Sequence, residues 1–475
     1  MELIVISDLH LSAGYDEETG RYSRNEDFFF DEEFKRFLEY LQKVNPSNNH
    51  LIIAGDLFDF LQIDGRRAQE LSEKKTPFEI TERELTFGLG TEEEKTVWKL
   101  GVIVNGHQVF FQALATFLSK GNFLSIITGN HDIELYWEKV QNALVGHIVS
   151  FEPGQGIRRQ IKKRISFYPW FYYDKDYKTY IEHGNQYDSL NSFQYLLYPV
   201  LGPDSKRLWL PFGSFFVRYF FNKLEICNPF ADNIKPPTRY MKWAWKEDKL
   251  QFLKNICNYL PTMIRVFRKG GKLSKTERDQ LEEQNEEKLR KLGQESGLPL
   301  DAVRNIYSLM APPFTRNKLL IIFTFAGTFF LIIALIVFIA LLALSQYFHF
   351  SPWTSLSSLG LLIVPIAKWA WSKWFQKDPL EKILPKIKAY LKDVKIIVFG
   401  HTHDPDIRRV DKESRYFNTA TWTTVFSEEE RIIREAKQFA FVWIKKVNGK
   451  PEARLLRWNH SLRKCERLIL FERKP

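Results

Sequence analysis

Apolar positions along this chain follow two periods, and the points where the period changes mark out the elements. Near-continuous apolar runs at residues 3–6, 51–54, 123–127 and 396–399 read as buried strands, because each is short and is stopped by a glycine or a polar turn residue. Between the first two, Phe34, Phe37, Leu38 and Leu41 fall at helical spacing, which predicts the crossover helix of a β-α-β unit. Between the second and third, the capping pattern of residues 91–94 predicts one long helix through Trp98, Val102, Phe110, Phe111, Leu114 and Leu118. His107 lies on it and reads as a packing histidine. The basic run 158–164, with Ile161 inside it and Ile165 after it, suits a strand or hairpin. Residues 440–444 and 453–458 alternate around Asn448-Gly449-Lys450, a hairpin signal that predicts a second sheet packed on the first.

From about residue 190 the character changes. Residues 208–223 and 240–246 are dense in aromatics with sparse cations, and with 264–269 they fit interfacial helices whose rings sit at headgroup depth. Residues 274–295, mostly Lys, Arg, Glu and Gln, read as an exposed helix or linker, and 298–310 as a short amphipathic element. Residues 319–344 contain no charge and would span ~39 Å as a helix, more than a hydrocarbon core of ~30 Å requires. A second uncharged stretch, 356–367, is interrupted by Gly360 and Pro365, and no charge occurs between Lys318 and Lys368. A transmembrane or re-entrant hairpin is therefore expected.

Chemistry gathers where the apolar runs end. The first runs into Asp8-Leu9-His10, the second into Gly55-Asp56-Leu57-Phe58-Asp59, and the third into Gly129-Asn130-His131-Asp132. Tyr180-Ile181-Glu182 leads into His183-Gly184, and the run 396–399 into Gly400-His401-Thr402-His403. Each piece alone is an ordinary turn sequence, but five such strand-end clusters of Asp, Asn and His point to one shared metal site.

In order and in setting, these motifs resemble the calcineurin-like metallophosphoesterase superfamily over residues 1 to about 190 and about 390 to 450; residues 416–422 resemble the strand and turn that follow the last motif there. The opening residues 7–11 and the motif spacing look most like the UDP-2,3-diacylglucosamine diphosphatase branch, which carries Arg where this chain has His131. The resemblance implies an α/β fold, a four-layer αββα sandwich; the aromatic and apolar stretches, which have no counterpart in it, add a helical, membrane-inserting insertion between the fourth and fifth metal motifs. It implies a first divalent metal on Asp8, His10, Asp56 and His403 and a second on Asp56, Asn130, His183 and His401, with Asp56 bridging. Mn, Fe or Zn suits that ligand set, and Mn is favoured. A hydroxide bridging the ions would attack phosphorus, His131 would act on the leaving oxygen, and Asp59 would orient His131.

The expected organisation is a catalytic core at 1–190 and 376–475, an aromatic and basic helical insertion at 191–317, and the apolar hairpin at 318–375. Because the histidines after residue 400 must meet ligands before residue 190, both flanks of the hairpin belong on one side of a bilayer. Arg316, Lys318, Lys368, Lys373 and Lys377 place that side in the cytoplasm by the positive-inside rule. A net charge of +11 and a pI near 9.2 fit an anionic partner, either membrane surface or nucleic acid; the expected partners are a phospholipid membrane and a lipid-linked or membrane-adjacent phosphoester substrate. Nothing has the aromatic-stacking or repeat pattern of a nucleic-acid module, so a nuclease is the weaker reading. Cys227, Cys257 and Cys465 are scattered and odd in number, which excludes a disulfide framework, and no basic and apolar leader precedes the first strand.

Overall fold

The computed structural model describes residues 1–23, 25–63, 76–203, 205–219, 249, 273–316, 378–429, 432–468, 470 and 472. Its first sheet runs, strand beside strand, Lys464–Arg467, Lys450–Asn459, Ala440–Val447, Glu2–Ile6, Asn49–Ala54, Phe123–Ile127 and Ile165–Tyr168. The last four are mutually parallel, the crossover arrangement expected from the sequence. The second sheet runs Pro405–Arg409, Arg415–Thr419, Ile396–Phe399, Thr179–Glu182 and Phe171–Asp174.

Alternation along the strands decides the layers. Leu3, Val5, Ile52 and Ala54 face the second sheet and pack with Ile181, Ile396, Val398 and Phe417. Ile4, Ile6, Leu51 and Ile53 face outward onto Phe34, Phe37, Phe110, Phe111, Leu114 and Leu144 from helices Asp31–Val44, Gln108–Ser119 and Glu138–Ser150. The outer face of the second sheet, through Tyr180, Ile397 and Phe399, is covered by Leu281, Leu289, Val303, Ile306 and Leu384 from helices Lys275–Ser296, Leu300–Tyr307 and Leu380–Tyr390. The result is helix, sheet, sheet, helix, with each fully buried large apolar side chain contributing ~1.5–3 kcal/mol.

Several local expectations change. The hairpin Ala440–Val447 and Lys450–Asn459 forms, but it joins the first sheet beside Glu2–Ile6, Leu3 opposite Ile444; the second sheet is made by the strands that carry His183 and His401. The long helix divides into Glu93–Gly106 and Gln108–Ser119. Gly106 lies against Ala13 and Gly14, where a Cβ would stand 2.0 Å from Ala13 O, and that crossing sets the break at His107. Thr91 does not cap the first of these helices; its hydroxyl accepts from Leu208 N–H. Residues Gln155–Lys162 are helical rather than extended: Ile161 alone of this helix is buried, while Ile157 and most of the cations stay outside. Lys275–Ser296 is a helix with a Ser274/Glu277 capping box, and Leu281, Leu289 and Leu292 bury one face of it, so it is structural rather than a linker. Among the described residues no helix is long and apolar enough to cross a membrane. The apolar stretches 319–344 and 356–367, and the aromatic ones at 240–246 and 264–269, lie outside the described residues.

Candidate active site

Parallel neighbours end at the same edge of a sheet, and this alone assembles most of the site. Glu2–Ile6, Asn49–Ala54 and Phe123–Ile127 deliver Asp8 and His10, Asp56 and Asp59, and Asn130 and His131. In the second sheet, Thr179–Glu182 is parallel to Ile396–Phe399, Ile181 opposite Val398, so His183 and the pair His401 and His403 leave together. Backbone bonds stitch the loops: Leu9 N–H and His10 N–H donate to Asp56 O at 2.9 and 3.0 Å, and Gly400 N–H to His183 O at 3.0 Å.

Side chains meet in three groups. Asp8, His10 and His403 bring ligand-type atoms within 4.8 Å of one another, as do Asp56, His183 and His401, and His10, Asp59 and His131. Asp56 Oδ2 lies 3.0 Å from His183 Nε2 and 3.9 Å from His10 Nε2, between the first two groups. Asn130 Oδ1 is 3.2 Å from His183 Nε2. All seven residues expected as ligands, with His131 and Asp59, therefore stand in one cluster.

The arrangement fits divalent cations. His10 Nε2 and His403 Nε2 face each other at 3.2 Å, and Asp8 Oδ1, buried and 3.1 Å from His403 Nε2, accepts no hydrogen bond among the described residues. Converging imidazole nitrogens around a carboxylate oxygen are what a cation with mixed N and O preference satisfies. His183 Nδ1–H donates to Ala54 O at 2.9 Å, which turns Nε2 into the site.

Electrostatics agree. Burial works against charge on Asp8, Asp56 and Asp59, but the surrounding imidazoles offset it and hold all three carboxyls well below the usual range. Burial likewise opposes charge on His183, yet Asp56 and Asp8 push it up to about 9. His131 is raised by Asp59 and Asp56 against the same burial, with Nδ1 2.8 Å from Asp59 Oδ2.

Backbone strain is concentrated here. Asp8, His10, Asp56, His401 and His403 all have φ between 51° and 69°, the left-handed region, at ~1–2 kcal/mol per non-glycine residue. The motif glycines have a second role, leaving room for ligands: a Cβ at Gly55 would stand 2.4 Å from the His183 ring, one at Gly129 2.1 Å from Asp56 Oδ1, and one at Gly400 2.6 Å from Asp8 Oδ2.

Sequence reasoning missed four supports. Asp59 reaches His10 as well as His131, its Oδ2 lying 3.8 Å from His10 Nδ1. Asp132 accepts from Leu57 N–H and Gly129 N–H at 2.8 and 2.6 Å, tying two motif loops together, and burial with the nearby Asp56 pushes its carboxyl up to about 7. Asp188 Oδ2 faces His401 Nε2 at 3.4 Å. Lys99 and Glu134 form a buried ion pair at 3.1 Å behind the His131 loop. Of these, Asp59 and Asp132 had a signal in the sequence, their places in the second and third motifs; Asp188, Lys99 and Glu134 had none.

A family model described as calcineurin-like phosphoesterase matches residues 1–255, just over half of the chain, and so covers four of the five motifs. His401 and His403 lie beyond that match, and the fold brings them into the site. No curated protein matches the chain.

Proposed function

Since the chain belongs to the calcineurin-like phosphoesterase family, whose members are metal-dependent phosphoesterases, we propose that it hydrolyses a phosphoester presented at a membrane surface. One divalent ion is assigned to Asp8, His10, Asp56 and His403 and a second to Asp56, Asn130, His183 and His401. Two such ions supply Lewis acidity toward a phosphoryl group and acidify water. The protein's own groups do the rest. Asp56 joins the two positions. Asp59 accepts the His131 Nδ1 proton, fixing the tautomer and leaving Nε2 for the leaving oxygen. The observation that carries the reading is this pairing at 2.8 Å beside two groups of converging ligand atoms.

Membrane presentation is supported by the uncharged stretch 319–344 together with its flanks. Phe314 N–H donates to Ser189 O at 2.8 Å, and Asp378 lies 2.6 Å from Arg408 Nη2, so both flanks start from one folded body. That fits an insertion that enters and returns on the same side, with the site facing the cytoplasm. Mn is the favoured ion. The test is phosphate or nucleotide release by the full chain in detergent micelles with Mn, comparing a lipid phosphate, UDP-diacylglucosamine and a soluble diester, with Asp56→Ala as control. Faster hydrolysis of a lipid substrate supports the reading; equal rates on the soluble diester refute lipid presentation; bound metal without turnover refutes catalysis.

A further inference from the structure

We infer that the helix Phe212–Tyr219 braces the metal position built from Asn130, His183 and His401, and not the one built from Asp8, His10 and His403. The inference rests on the two-metal reading above. Two contacts from adjacent residues carry it. Ser214, fully buried, donates its hydroxyl to the backbone carbonyl of Asn130 at 3.2 Å, so the loop that aims the Asn130 amide is held from the insertion side. Gly213 lies against Asn191, where a Cβ would stand 2.1 Å from Asn191 Oδ1, and its N–H donates to Leu190 O at 2.8 Å.

From Asn191 the contact continues to the metal position. Asn191 Nδ2 donates to Asp188 Oδ2 at 2.7 Å, and Leu190 N–H donates to Asp188 Oδ1 at 3.0 Å. The carboxylate so fixed faces His401 Nε2 at 3.4 Å and sets the plane of that ring. Asp8 is held instead from the loops that follow Arg415–Thr419 and Ile396–Phe399: Thr421 Oγ1 and Trp422 N–H donate to Asp8 O at 2.7 and 3.2 Å, and His401 N–H to Asp8 Oδ2 at 3.0 Å. Asp188, Asn191, Gly213 and Ser214 are thus positioning residues for one of two ions, and they link it to the segment that leads toward residues 220–272.

The test counts Mn bound by the purified full chain in equilibrium dialysis at stepped free Mn. Gly213→Ala and Ser214→Ala are each placed in two backgrounds, His403→Ala, which leaves the braced position, and His401→Ala, which leaves the other. The brace requires Kd for the remaining ion to rise ~10–100-fold in the first background, as loss of outer-shell support does, and to stay unchanged in the second. Asn191→Ala, which leaves the helix untouched, should reproduce the selective loss, and Ser214→Thr, which keeps the hydroxyl, should restore binding. Equal weakening in both backgrounds, or none in either, overturns the inference. Absence of Mn from the parent chain and from both backgrounds would instead refute the two-metal reading, and the brace with it.

Discussion

Lys99→Met is the most demanding test of how the His131 loop is held. Lys99 and Glu134 are 1% and 0% exposed, their charged atoms 3.1 Å apart, and Lys99 Nζ also donates to Phe60 O at 3.4 Å. The ammonium therefore ties the turn after Asp59 to the turn after Asp132. Burial pulls the Lys99 pKa down, and Glu134 only partly offsets that pull. Methionine keeps the apolar stem but leaves the Glu134 carboxylate buried without its cation, a loss of ~3–5 kcal/mol, which is a large share of the ~5–15 kcal/mol typical of a folded domain. Removing both charges is a different matter, because replacing a buried pair with apolar groups of similar volume is often neutral. Lys99→Met/Glu134→Leu should therefore recover most of the loss, ~2–4 kcal/mol relative to Lys99→Met alone. Urea unfolding followed by tryptophan fluorescence, at constant m, measures all four corners of the cycle. A single variant within ~1 kcal/mol of the parent, or a double variant no better than the single, would falsify the buried-pair argument.

Three further outcomes follow from the geometry. His131→Asn should lower turnover ~10²–10⁴-fold while metal content is retained, checked by elemental analysis beside kinetics, and joint loss of both ions would contradict the role given to His131. Gly55→Ala, with its Cβ driven to 2.4 Å from the His183 ring at a φ of +89°, should reduce bound metal by at least one ion per chain, whereas an unchanged ion count would show that the glycine is not there to leave that space. His107, buried between Glu26 and Asp31, is pushed up to about 10 by those carboxylates against the opposing effect of burial. Its folded pKa exceeds the ordinary 6.5, so its stabilising contribution is complete below pH 6.5 and falls away as pH rises through about 10. His107→Gln should flatten that alkaline decline in the unfolding midpoint, and a parent protein that gains stability over the same window would reverse the sign and sink the assignment.

What the sequence made legible was whatever depends on residue type and local spacing. Asp8, His10, Asp56, Asn130, His183, His401 and His403 each follow an apolar strand, and strands that pair in parallel end together. The break at His107 was hidden because its cause, Gly106 against Ala13 and Gly14, lies far off in the chain. The Asn448-Gly449 signal specifies that two strands pair with each other but carries nothing about which sheet they join; the pairing of Ala440–Val447 with Glu2–Ile6 settles that. The left-handed backbone at five candidate ligands leaves no trace in composition either, since Asp and His tolerate it only where surrounding contacts impose it. Nothing in the local spacing around Lys99 and Glu134 signals their pairing; only their meeting across two turns makes them structural.

The separation of His183 from His401 by about 220 residues also has a meaning in time. A ribosome that has released the first 200 residues has supplied Asp8, His10, Asp56, Asn130, His131 and His183, yet the strand Ile396–Phe399 that pairs with Thr179–Glu182 is still unmade. At ~5–20 residues per second it follows roughly 10–40 s later. Throughout that interval the growing chain lacks His401 and His403, and the candidate site stays incomplete until the whole intervening segment has been synthesised and Ile396–Phe399 has joined the second sheet. The candidate site of this protein is thereby completed late in its own biogenesis, since a chain made only to residue 395 carries the first four motifs without the fifth.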